Sequence, residues 1–264
     1  MDTLTFIAHL NNTQLKPPHH TQTPATTEMA ATAVETATLL SAAVVLMIET
    51  GPKSTLPMPL PKGAAELFRT EKYSDVDLIC GERTWKLHKS IICMQSEIFA
   101  QFCEQCSPKK AQKLCLVLLE DEVSVVAAMV YYLYHGEYDV AAFTSEHLSA
   151  MELHVKLYFL AMKYSIAFLD HVACSKLQNE MEISWGTDGF AHAVAEIYLR
   201  TGRNDDLRKM AVDYTAIHAT KLFAPASSHT KFNRMARSTS EFAADVTAAL
   251  AGSEYDDIDV EMSK

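Results

Sequence analysis

Apolar and polar positions alternate from Val76 to Cys80, with Val76, Leu78 and Cys80 on one face of a predicted strand. Gly81-Glu82 breaks the run, and Trp85 and Leu87 mark a return strand. So short a connection predicts an antiparallel hairpin. The period then becomes helical over His88–Met94. Ser96 is placed as the N-cap of a second helix carrying Phe99 and Phe102 on one face. Lys113–Leu119 is apolar enough to predict a strand buried on both faces. Glu120-Asp121-Glu122 ends it and opens an almost wholly apolar helix over Val123–Tyr134, closed at Gly136. Four helical stretches follow at about 148–164, 166–182, 188–201 and 205–223. The fold class this order predicts is α+β, a small sheet with one face covered by helices.

Composition narrows the function. The 264 residues carry a formal charge of −10, which argues against the basic stripe of a nucleic-acid-binding surface. Eight glycines leave little material for phosphate-cradling loops or an all-β fold. Of the six cysteines, Cys80, Cys93 and Cys115 sit inside apolar runs, and no secretory signal is visible in this sequence. Free thiols in a reducing compartment, cytoplasm or nucleus, are therefore expected. No constellation suited to catalysis emerges, so the expected role is a non-enzymatic scaffold for other proteins.

Residues 1–62 read as a disordered Thr-, Ala-, Pro- and His-rich tail. Within it Thr38–Ile48 is apolar but shorter than the roughly 20 residues that span a bilayer. A marginal helix free or docked on the domain, a membrane-associated anchor and an extension without a part in the fold all stay open for it. Folding is expected from about 63, with a helical region over 181–224. The Ser/Thr-rich and then acidic stretch 225–264 reads as a disordered tail.

Six pieces in this order resemble the BTB/POZ domain. They are Ser74-Asp75-Val76-Asp77-Leu78, Leu87-His88-Lys89-Ser90, Ser96-x-x-Phe99 and Val117-Leu-Leu-Glu-Asp121, then Tyr131-Tyr-Leu-Tyr-His-Gly-Glu-Tyr138 and Leu160-Ala-Met-Lys-Tyr164. The likeness spans roughly 66–180, giving a domain over 63–180. Residues 181–223 resemble the helical extension of many short, fungal-looking members. The resemblance implies a protein-interaction domain that homo- or hetero-oligomerises, with protein partners and no cofactor. Some members are substrate adaptors of cullin ubiquitin ligases, so a homodimer and a cullin scaffold are the two candidate partners. Zinc fingers, kelch-type repeats and transmembrane bundles, the usual second domains, are not visible in this sequence.

The resemblance also implies candidate partner-binding residues. Asp75 and Lys89 fall where dimeric members place a charged pair near the dimer pocket, and a partly buried carboxylate needs such a cation. The dimer surface would be the helix His88–Met94, with Ile92 on it, plus whatever precedes Tyr73. His88 itself is expected to pack at the strand–helix junction and hydrogen-bond the backbone there. Glu120, Asp121 and Glu122 are expected to cap the following helix by charge, and the same surface is where adaptor members meet a cullin. Cys103-Glu-Gln-Cys106 has half the spacing of a zinc site but lacks a second pair. No metal or catalytic residue is therefore assigned. The tyrosines 131, 132, 134 and 138 are expected as core and interface packing.

Overall fold

The computed structural model describes residues 60, 62–105, 113–202, 205–224 and 229–252. After a helix α1 (Ala64–Thr70), the alternating run forms β1 (Val76–Cys80) and β2 (Arg83–Leu87), paired antiparallel with Val76 opposite Leu87 and Leu78 opposite Trp85. The two-residue turn works because Gly81 takes φ +56°, where a Cβ would also stand 3.1 Å from Val123. Helices α2 (Lys89–Gln95) and α3 (Glu97–Gln105) then lead to β3 (Leu114–Leu118). β3 lies parallel to β1 on its other side, giving the order β2-β1-β3. Leu114, Leu116, Leu118 and Val117 are buried and Cys115 is half-buried, so the strand is covered on both faces as its composition predicts.

Helices α4 (Val123–His135), α5 (Val140–Phe143), α6 (Ala150–Lys163) and α7 (Leu169–Ser184) close the sheet-side core. The all-apolar sequence of α4 is the reason it runs through the centre, with Val125–Val130 and Tyr132–Tyr134 buried. α6 starts at a reciprocal capping box between Ser149 and Glu152. Ser96 fulfils its expected capping role: its hydroxyl accepts from the Phe99 N–H at 3.0 Å and donates to the Tyr164 carbonyl at 2.6 Å.

A second core lies beyond. α8 (Asp188–Arg200) and α9 (Asp206–Leu222) pack on the far ends of α6 and α7, where Met151, Val155, Leu177 and Met181 are shared into the new cluster. The expectation of a solvated tail after residue 225 needs correction. Thr230–Ser238 forms α10 and Ser240–Leu250 forms α11. Phe232, Met235, Ala236, Phe242 and Val246 from them are buried in the second core, against Phe190 and Tyr198. Burying these side chains offsets the ordering cost that a Ser/Thr-rich segment could not meet alone. Arg208 is the polar staple of this region. At 3% exposure it donates to the Thr201 carbonyl at 2.5 Å and to Glu241 at 2.7 Å, and its guanidinium lies 4.3 Å from the Tyr198 ring centre.

The expectations for residues 1–59 and for the acidic stretch Glu254–Glu261 lie outside the described residues. Among the described residues no helix is long and apolar enough to cross a membrane.

Candidate interaction surfaces

His88 sits 4% exposed where β2 hands over to α2. Its Nε2 faces the Lys72 carbonyl at 2.7 Å, an atom that only accepts, so the ring proton belongs on Nε2. Nδ1 then accepts from the Tyr134 hydroxyl at 2.9 Å, and that oxygen in turn accepts the His88 main-chain N–H at 2.9 Å. Burial pushes the Tyr134 phenol well above its ordinary range, so it stays a protonated donor. This closed set joins the turn after α1 to α2 and α4. His88 is a structural link, as its backbone partner implied, and is not exposed to a partner chain.

Asp75 and Lys89 meet differently from the expected ion pair. Asp75 is exposed, and its Oδ1 accepts the Lys89 main-chain N–H at 2.8 Å, serving one of the free donors at the start of α2. The resemblance implied a charged pair, but the Lys89 atom in contact is its backbone amide. Ile92 is 0% exposed and packs inside the sheet-side core. It therefore cannot touch a partner without unfolding, which removes it from the surface. The exposed apolar residue of α2 is Met94.

Three further features accompany Met94. Tyr73 is 87% exposed and holds φ +64°, a left-handed conformation that costs a non-glycine residue about 1–2 kcal/mol. Phe68 of α1 packs on Tyr134 at 5.0 Å between ring centres. An open groove of about 630 Å³ runs between α1 and the end of α4, lined by Ala65, Phe68, Tyr131 and His135. Tyr131 and His135 stack on each other 3.8 Å apart at its wall.

The carboxylates at 120–122 stand at the start of α4, and their hydrogen bonds go elsewhere. Glu122 holds the N-cap position without a side-chain bond to the helix. Instead its carboxylate takes Lys156 at 2.5 Å and the Ser124 hydroxyl at 3.0 Å. Burial works to raise its pKa, yet those two donors outweigh burial and leave it lowered. Asp121, only 10% exposed, accepts from Lys163 at 2.9 Å and from the Tyr164 hydroxyl. Burial first and Asp121 second raise the Tyr164 phenol far out of the physiological range. Lys156 and Lys163, seven residues apart on one face of α6, draw the carboxylates away from the helix end. That spacing was the available signal. Glu120 is exposed. These residues line a polar cleft of about 330 Å³, completed by Phe159, Glu196 and Arg200. Its charges are largely paired, which fits a contact surface better than a reaction site.

The Cys103-x-x-Cys106 spacing cannot be followed, because Cys106 lies outside the described residues. Cys103 instead meets Cys93 of α2: their hydrogen bond raises the Cys103 thiol and lowers that of Cys93. Among the described residues no three His, Cys, Asp or Glu side chains converge as a metal site requires.

A family comparison matches residues 64–180 to the BTB/POZ domain. The chain carries a BTB/POZ domain over these residues. The match begins with α1 and ends within α7, so it covers the sheet-side core. α8–α11 lie beyond it. A search of curated proteins found no match to the chain. The BTB/POZ domain is a protein-interaction module.

Proposed function

We propose that this BTB/POZ protein self-associates through the face formed by α1, Tyr73 and the exposed side of α2. Tyr73 carries the reading. The turn from α1 to β1 holds Tyr73 in a costly backbone conformation with 87% of it in water. A partner chain that buries the ring repays that cost. Met94, 48% exposed, and the Phe68 groove extend the same face, since His88 and Tyr134 fix α1, α2 and the Lys72–Tyr73 turn to one another. A stable interface buries about 1,600 Å² in total, with a few aromatic anchors carrying most of the energy. Tyr73→Glu with Met94→Glu should then weaken self-association by about thirtyfold or more, the loss of roughly 2 kcal/mol at an anchor. Sedimentation equilibrium of the full chain reads this directly, with circular dichroism confirming an unchanged fold.

A second reading, a substrate adaptor for a cullin ligase, rests on the cleft at Glu120–Glu122. Leu119, 69% exposed, stands beside it. The body of α4 is buried, so a cullin would reach only its N-terminal end, not the whole Val123–Tyr134 stretch. Pull-down with purified cullin tests this: retention lost on Leu119→Asp supports the adaptor role, and no retention at micromolar concentration removes it.

A further inference from the structure

Helix α10 carries three cations and no carboxylate in a chain whose formal charge is −10. Its inward positions Phe232, Met235 and Ala236 are buried, and this fixes Lys231, Arg234 and Arg237 on the solvent side. Lys231 is satisfied by Asp188 at 2.9 Å. Among the described residues Arg234 and Arg237 have neither an ion pair nor a hydrogen bond from their side chains. Two guanidiniums three residues apart on one helix, exposed and without a partner among the described residues, form a face matched to carboxylates.

The chain supplies such a ligand. The described residues end at Gly252, two residues before Glu254-Tyr-Asp-Asp-Ile-Asp-Val-Glu261, which holds five carboxylates in eight positions. α11, the 11-residue helix between α10 and this segment, is about 16 Å long. Eight extended residues span about 26 Å, enough to return along α11 and lie over α10. We propose that the acidic segment 254–261 docks in cis on the Arg234–Arg237 face. The face is then occupied in the resting chain, and an acidic segment of any other protein must displace the tail to bind there. This inference lies outside the BTB/POZ match and does not depend on the self-association reading.

Limited digestion of the full chain with a protease that cuts after Glu and Asp tests it, following cleavage within 254–261. At low salt the native tail should be cut about threefold more slowly than in Arg234→Gln/Arg237→Gln, the effect of two exposed charge pairs. In 0.5 M NaCl the two rates should converge, since exposed pairs are screened. The protection should survive tenfold dilution of the protein. Equal rates at low salt, or protection of the native tail that ignores salt, would overturn the proposal. Protection lost on dilution would assign the tail to a second copy and overturn docking in cis. The salt and dilution arms use the native chain, so they stand even if the variant is perturbed.

Discussion

Replacing Phe242 by alanine should destabilise the protein by about 3–5 kcal/mol, the usual cost of emptying a fully buried phenylalanine site. Phe242 is 0% exposed, with its ring 5.2 Å from that of Tyr198 and 6.0 Å from that of Phe232. The cavity would open at the junction of α8, α10 and α11, where little else can collapse to fill it. Urea unfolding of the full chain measures the loss, and the neighbouring exposed Ala243→Ser serves as the control, expected within about 0.5 kcal/mol of the native value. The contrast with a solvated tail is sharp. A phenylalanine in such a tail changes stability hardly at all when truncated, so a loss under 0.5 kcal/mol would return residues 229–250 to the role their composition suggested.

The second large effect is a pH dependence at His154. This residue is 2% exposed inside α6, and its Nδ1 lies 2.7 Å from the Tyr138 hydroxyl. Burial, and then the nearby Lys176 ammonium, push its pKa down to about 4. In the unfolded chain an imidazole titrates near 6.5. The folded state thus holds the neutral form, and the unfolded state binds the proton more readily. Stability from this site is fully present above about pH 6.5 and declines as pH falls toward 4. Linkage puts the loss between pH 7 and pH 5 at about 2 kcal/mol. Unfolding free energies across that range for the native chain and for His154→Gln should differ in slope, the variant being flatter by that amount. Parallel slopes would mean that the ring is protonated in the fold or is relieved by local opening.

How much of this was legible in the sequence depends on what each element relies on. The hairpin and its register were readable because a period of two leaves one choice of inward face and Gly81 marks the turn. α4 was readable because a helix apolar all round has only the centre to occupy. α10 and α11 were missed because serine and threonine dominate the approach to them, while Phe232, Met235, Phe242 and Val246 sit among charges and alanines. Their inward spacing counts only once α8 and α9 offer a surface to bury it. Two contacts of the candidate site residues differ from expectation for another reason. A sequence names side-chain types, but the outcome turned on which atoms meet. Asp75 found a main-chain amide in place of an ammonium, and Glu122 found Lys156, 34 residues away, in place of the helix end. Ile92 shows the limit at a single position: Ile91 and Ile92 are both inside, and the exposed apolar residue is Met94, two further on.

The exposed features left over define what the protein can do. Tyr73, Met94 and the Phe68–Tyr131 groove are apolar and unsatisfied, whereas the 120–122 cleft is polar and largely paired. Burial of apolar area is the larger source of association free energy, which supports the proposal that the first face is the main contact.

The proposed self-association pairs this BTB/POZ domain with a second copy through that face. Sedimentation equilibrium on the full-length chain at micromolar concentration tests it most directly. A dimer that Tyr73→Glu/Met94→Glu converts to a folded monomer is the predicted result. A native chain that stays monomeric to about 100 μM, or a dimer of unchanged affinity in the double variant, would contradict it.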